Sequence, residues 1–158
     1  MKFLKSIVPF IVILVLTLGM GYIGSLLGGD AATSYSQDIV RPSFSPPAIV
    51  FPIVWTILYI LMAVSAYIIY RSDSPDKQKA LAIYAIQLIL NILWTPIFFE
   101  LKRYFGAFLW IILLIVWVII MIKEFKKINK TAAYLQIPYL LWLIFAAILN
   151  FAVFMLNR

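Results

Sequence analysis

Gln87, Asn91 and Trp94 stand four and then three residues apart in an otherwise apolar run, Gln87-Leu-Ile-Leu-Asn91-Ile-Leu-Trp94-Thr-Pro96-Ile-Phe-Phe99. On a helix these spacings put two amides and an indole on one face. An unpaired amide is costly in hydrocarbon, so the face must look into a protein interior or a cavity and not at lipid. Spacing alone leaves two readings. The amides are interhelical glue, worth about 0.6 kcal/mol per bond on average inside a membrane, or they orient a small molecule. Pro96 removes an N–H and frees the carbonyl of Ile92, which predicts a bend beyond Trp94.

The surroundings of this face are set by composition. The 158 residues are 65% hydrophobic and 12% charged, with a mean hydropathy of +1.06. Ordinary globular chains are about 45–50% apolar and about 25% charged, so the sequence is that of a polytopic membrane protein of one domain, 1–158. It contains no Cys and no His. That excludes Cys or His zinc sites, His or Cys haem ligation, thiolate nucleophiles and His-based triads, and no metal site or cofactor is expected. The net charge of +7 sits in short links between apolar runs, where it reads as a topology signal and not as a nucleic-acid surface.

Five apolar spans are predicted at about 6–28, 47–70, 79–100, 104–123 and 132–156, each near the ~20 residues that cross a bilayer. The fold class is therefore all-α, a bundle of five transmembrane helices. Short links make successive helices antiparallel neighbours, and only the first link, about 29–46, is long enough to act as a lid. Lys2, Lys5 and the run ending at Gly28-Gly29-Asp30-Ala31-Ala32 imitate a signal peptide. The apolar stretch exceeds the usual ~7–15 residues, so a retained helix is expected. Gly21 and Gly24 on it offer room for a close helix neighbour.

Lys2, Lys5, Arg71, Lys77, Lys79, Lys123, Lys126, Lys127 and Lys130 fall on one side, against Arg41, Lys102, Arg103 and Arg158 on the other. The positive-inside rule then places the N-terminus in the cytoplasm and the first loop outside. Every acidic residue lies at a span end or in a loop, which argues against an ion-coupled pump.

Aromatic residues mark the other candidate positions. Pro42, Pro46 and Pro47 make the end of the first loop stiff and extended; Pro47 fits the first turn of the second helix, and Pro52 should bend it. Trp55, roughly 10 Å below the outer surface at ~1.5 Å per residue, with Tyr59 a turn deeper, is either an aromatic-belt anchor or a pocket residue. Tyr35 and Phe44 are either a plug over the bundle or ordinary loop aromatics. On the fifth span Trp142, Ala146 and Asn150 follow at spacing four, with Leu149 beside them. Trp142 is too deep for belt anchoring. The fourth span, with Trp110 and Trp117, carries no polar constellation and reads as scaffold partly facing lipid.

Three blocks in order resemble one family. They are Pro42-Ser-Phe-Ser-Pro46-Pro47 with Pro52-x-x-Trp55-x-x-Leu58-Tyr59, then Gln87-Leu-x-Leu-Asn91-x-x-Trp94-x-Pro96-Ile-Phe-Phe99, then Pro138-Tyr139-Leu-x-Trp142-x-x-Phe145-Ala146-x-x-Leu149-Asn150. With the five-span layout, they make the chain similar to the translocator protein family, called tryptophan-rich sensory proteins in bacteria and the peripheral benzodiazepine receptor in animals. The resemblance implies a pocket between the helices for porphyrins, notably protoporphyrin IX, and for isoquinoline carboxamide-like compounds. It implies ligand contacts from Tyr35, Phe44, Trp55, Tyr59, Asn91, Trp94, Trp142, Ala146, Leu149 and Asn150. It also raises light- and oxygen-dependent breakdown of protoporphyrin IX, with Trp55 and Trp142 as the catalytic residues, and passive transport of porphyrins or lipids.

Two departures limit the transfer. Phe44 replaces the family's usual Trp, which keeps an aromatic but loses an indole N–H. Phe151 replaces the Tyr of the animal cholesterol motif, so sterol binding is not carried over. Relatives form homodimers through small residues on the third helix, where this chain has Ala82 but then Ile86; a homodimer through another face is the expectation. Membrane lipid and a small flat molecule are the expected partners, nucleic acid is not, and a bacterial plasma membrane is the expected location.

Overall fold

The computed structural model describes residues 2–158, with side chains from Leu4 onward; the side chain of Lys2, counted above among the cytoplasmic cations, lies outside the described residues. Five long helices form: α1 (Lys2–Leu27), α2 (Val50–Arg71), α3 (Lys77–Phe99), α4 (Tyr104–Ile128) and α5 (Ile137–Leu156). All five are long and apolar enough to cross a membrane. There is no strand among the described residues.

Prolines explain most differences from the expected boundaries. Helix α2 starts at Val50 and not at Pro47, and the carbonyl of Pro47 accepts the Val50 N–H at 3.0 Å. Pro46 and Pro47 keep the residues before them out of helical conformation. Pro52 becomes the third residue of α2, where a missing N–H breaks no bond, so the expected disruption of an internal turn does not arise. The last span is split. A short turn, Lys130–Tyr134, precedes α5, and Pro138 explains the break because it has no N–H for the carbonyl of Tyr134. Helix α4 runs to Ile128, beyond the expected 123, because the fully buried Phe125 gives its last turns an inner face.

Contacts between the helices define a ring in the order α1, α2, α5, α4, α3 and back to α1. The half of the ring away from the first loop is solid. Met62, Ala63, Ile69, Val118, Met121, Phe125, Ala132 and Ala133 have no exposed surface there. Helix α4 is more than an apolar scaffold: Trp110 and Trp117, seven residues apart, donate their indole N–H groups to the carbonyls of Leu90 and Ile83 on α3, at 2.8 and 3.0 Å. Lys79 and Glu124 pair at 3.1 Å between the same two helices. Ala82 and Ile86 are exposed on the outside of α3.

Helix α1 has few buried side chains and is held by close approach. A Cβ on Gly21 would fall 2.5 Å from the Tyr59 ring, one on Gly24 3.1 Å from Ile92 and one on Gly28 2.5 Å from Thr95. Its buried polar tie to α3 is Thr17, whose hydroxyl shares a 2.7 Å hydrogen bond with that of Tyr84. The chain then turns at Gly29, in the left-handed region with φ +57°.

The first loop folds back over the bundle through Ala31–Thr33 and Ser34–Asp38. Tyr35 is buried, donates to the carbonyl of Pro46 at 2.9 Å and meets the hydroxyl of Ser45. Ile39 packs with Phe98, Ala107 and Val153. The backbone of Val40 exchanges two hydrogen bonds, each 2.9 Å, with the side chain of Asn157 after α5. The lid is thus tied both to itself and to the far end of the chain.

Gly21→Ala is expected to lower unfolding stability in detergent by about 1–3 kcal/mol, because the Tyr59 ring is pinned and must shift. Gly19→Ala on the same helix, where an added Cβ meets nothing within 4 Å, should instead be neutral or gain up to ~1 kcal/mol. Paired thermal or denaturant unfolding curves check the opposite signs.

Candidate ligand-binding cavity

The loop-side half of the ring encloses a cavity of about 620 Å³, within the ~300–1,000 Å³ typical of small-molecule sites. Every helix contributes to its wall, and the first loop roofs it. Tyr35, Trp55, Tyr59, Asn91, Trp94, Trp142, Ala146, Leu149 and Asn150 all line it. Of the ligand contacts expected from the sequence, Phe44 alone stands apart. It is 49% exposed and meets Phe145 edge-on with centroids 6.5 Å apart, outside the cavity lining.

The floor is a chain of hydrogen bonds with a single consistent direction. Tyr59 OH donates to Asn91 Oδ1 at 2.6 Å, and Asn91 Nδ2 donates to Tyr139 OH at 2.8 Å. Tyr139 OH donates to Gln87 Oε1 at 2.8 Å, and Gln87 Nε2 reaches Met62 Sδ at 3.6 Å. Three helices, α2, α3 and α5, meet in this chain. The two readings of the amide face therefore apply to different residues. Gln87 has no exposed surface and is absent from the cavity wall, so it joins helices; Asn91, 6% exposed, joins helices and also lines the cavity.

A second polar chain lies nearer the loop. Trp94 Nε1 donates to Asn150 Oδ1 at 3.0 Å, and Asn150 Nδ2 donates to the carbonyl of Tyr104 at 2.8 Å. This chain orients Trp94, which also stacks on Phe98 at 4.9 Å. Trp55 packs against Tyr59 at 5.6 Å and Tyr139 at 6.2 Å, and Trp142 against Phe145 at 5.3 Å and Phe51 at 6.0 Å. Three indoles are thus held by ring contacts at the wall. Trp142 Nε1 is buried without a hydrogen-bond partner among the described residues. A buried donor of that kind is a cost unless something supplies an acceptor.

Tyr139 and Tyr104 were not singled out as site residues. The signal for Tyr139 lay in the amides themselves: two amides on one face need a partner, and Tyr139 stands three residues before Trp142 on the same side of α5. The part played by Tyr104 comes from its backbone carbonyl, which side-chain pattern cannot reveal. Among the described residues that line the cavity, Asp30 is the one charged group, and neither Lys nor Arg is present.

A ring of five long apolar helices around a roofed, aromatic and nearly uncharged cavity defines a multi-pass membrane protein. Residues 11–156 match the model of the TspO/MBR family, and the chain belongs to that family. It is 32% identical over 155 residues to the tryptophan-rich protein TspO of Chlorobaculum tepidum, covering 97% of this chain and 98% of that one. It is 36% identical over 134 residues to the tryptophan-rich sensory protein of Cereibacter sphaeroides, covering 85% and 82%. The human translocator protein is 30% identical over 140 residues, 87% of this chain and 83% of its own.

Gln87→Leu leaves the Tyr139 hydroxyl without its acceptor in a dry interior. A loss of about 1–2 kcal/mol in unfolding free energy is expected. Unfolding in detergent measures it, and the far-ultraviolet spectrum of the folded variant should be unchanged.

Proposed function

We propose that the cavity receives porphyrins, with protoporphyrin IX as the reference ligand, and that the protein serves as a membrane receptor in tetrapyrrole or stress regulation. The observation that carries this reading is the wall of three indoles, Trp55, Trp94 and Trp142, in a cavity with almost no charge. Indole faces stack on a flat macrocycle, and each such contact is worth about 0.5–1.5 kcal/mol beyond area burial. Isoquinoline carboxamide-like compounds, flat with one polar group, suit the same wall. The protein sits in a bacterial plasma membrane with its N-terminus in the cytoplasm and the roof outside, as the Lys and Arg distribution suggests.

Light- and oxygen-dependent breakdown of the bound porphyrin is the second reading. It is favoured by the placing of both Trp55 and Trp142 on the cavity wall, where an excited macrocycle would touch them. Passive transfer of porphyrins or lipids is a third.

Titration with protoporphyrin IX, followed by the shift of its main absorption band, is expected to saturate. Trp55→Phe combined with Trp142→Phe should weaken the affinity about tenfold, near 1.4 kcal/mol. A shift that never saturates, or an affinity that the double substitution leaves unchanged, contradicts the reading. Because no lining residue is cationic, the dimethyl ester of protoporphyrin IX should bind at least as tightly as the diacid. Illuminated turnover that disappears in Trp142→Phe separates breakdown from binding.

A further inference from the structure

The first loop carries a second concavity that shares no lining residue with the cavity beneath it. It is a groove of about 560 Å³, and Ser36, Arg41, Pro42, Ser43, Ser45 and Pro47 are among its walls. The two hollows differ in character. Where the cavity is aromatic and has a carboxylate as its one charge, the groove has three hydroxyls and a guanidinium and no carboxylate.

Arg41 is held in place before anything binds. Its guanidinium lies over the ring of Tyr35, 5.2 Å from the centroid, where cation and ring attract. That ring is itself fixed: Tyr35 is buried, donates to the carbonyl of Pro46 at 2.9 Å and meets Phe51 edge-on at 5.0 Å. Pro42 restricts the backbone of Arg41 to extended conformations. A side chain fixed at both ends adds little ordering cost when it takes a partner. Its charge is nevertheless unmatched. Both ion pairs among the described residues use Glu124, at the other end of the bundle, and Asp38, three residues away, is not part of the groove.

Further donors stand beside it. The turn Pro42–Ser45 is closed by the Ser45 N–H on the carbonyl of Pro42 at 3.0 Å, and the N–H groups of Ser43 and Phe44 in its middle have no backbone acceptor. The hydroxyl of Ser43 adds another. Those of Ser36 and Ser45 are already spent: Ser36 Oγ donates to the carbonyl of Ala32 at 2.8 Å, and Ser45 Oγ donates to Tyr35 OH, whose own proton goes to Pro46. One cation with several free donors is the complement of an oxyanion. The neighbours say which kind. Val40, Phe44 and Ile49, on the same loop, are apolar and exposed. At the end of membrane-spanning helices this combination fits the headgroup layer, about 5–8 Å deep outside a ~30 Å hydrocarbon core. A soluble anion would leave those three side chains in water.

We propose that the groove binds the phosphate of an anionic phospholipid from the loop-side leaflet. Arg41 pairs with the phosphodiester, the turn at Ser43 donates to it, and Val40, Phe44 and Ile49 lie against the start of the acyl chains. The site is distinct from the cavity and holds whether or not the cavity takes a porphyrin.

The chain has no Cys, so Ser36→Cys carries a single bimane fluorophore at the edge of the groove. The labelled protein is placed in phosphatidylcholine nanodiscs containing a small share of phosphatidylglycerol or phosphatidylcholine with a nitroxide near the top of one acyl chain. Nitroxide phosphatidylglycerol is expected to reach half-quenching at about a threefold lower mole fraction than nitroxide phosphatidylcholine, the size of one exposed ion pair. Arg41→Gln should abolish that preference, Ser43→Ala should reduce it, and Lys126→Gln at the opposite end of the bundle should leave it unchanged. Inorganic phosphate at millimolar concentration should not relieve the quenching. Equal quenching by the two lipids, a preference that survives Arg41→Gln, or a preference lost in Lys126→Gln overturns the proposal. Relief by inorganic phosphate would show a site for free anions and overturns it too. Should Arg41→Gln fail to fold, Ser43→Ala decides, because it leaves the Tyr35 contact intact; an undiminished preference there refutes the site.

Discussion

The hydrogen-bond chain Tyr59–Asn91–Tyr139–Gln87 is the interaction on which the rest of the bundle depends. Inside a membrane the hydrophobic effect does not hold helices together, because lipid tails are as apolar as Leu. Packing and a few directed bonds must do it. Here one run of bonds joins α2, α3 and α5, and each donor and acceptor has a single workable direction. At ~0.6 kcal/mol per bond the sum is only about 2 kcal/mol. Its larger effect is on geometry, since any helix rotation that breaks the chain strands several polar groups in a dry interior. The chain also divides the molecule: solid core on one side, cavity on the other.

That division explains how one small protein can be stable and hollow. The half away from the loop supplies the dense packing around Met62, Met121 and Phe125. On the loop side the wall is made of aromatic rings that support one another, Trp94 on Phe98 and Trp55 on Tyr59, so it keeps its shape without a filled centre. Trp110 and Trp117 bolt α4 to α3 from outside the cavity. Helix α1 needs no comparable bolt at its loop end, because Gly24 and Gly28 bring its backbone onto α3.

Much of this was legible in the sequence. Hydropathy and length gave the five helices, and the spacing of Gln87, Asn91 and Trp94 gave an inward polar face. Periodicity on the fifth span brought Trp142, Ala146 and Asn150 to the cavity wall. Three features were not legible, each for a physical reason. Helix ends near Pro47 and Pro138 depend on which N–H groups have partners, which hydropathy does not register. The indole bonds of Trp110 and Trp117 end on backbone carbonyls, which carry no sequence signal. Phe44 belongs to the loop that carries Tyr35, and only the fold of the loop shows that Tyr35 turns inward while Phe44 remains outside.

The central claim is that the two tyrosines act through the amides as one unit. A double-mutant cycle of Tyr59→Phe and Tyr139→Phe, read by unfolding free energy in detergent, tests it most directly. A coupling of about 0.5–3 kcal/mol between the two substitutions is expected for members of one hydrogen-bond network. Additive losses would show that the hydroxyls act separately and that the network does not set the cavity floor.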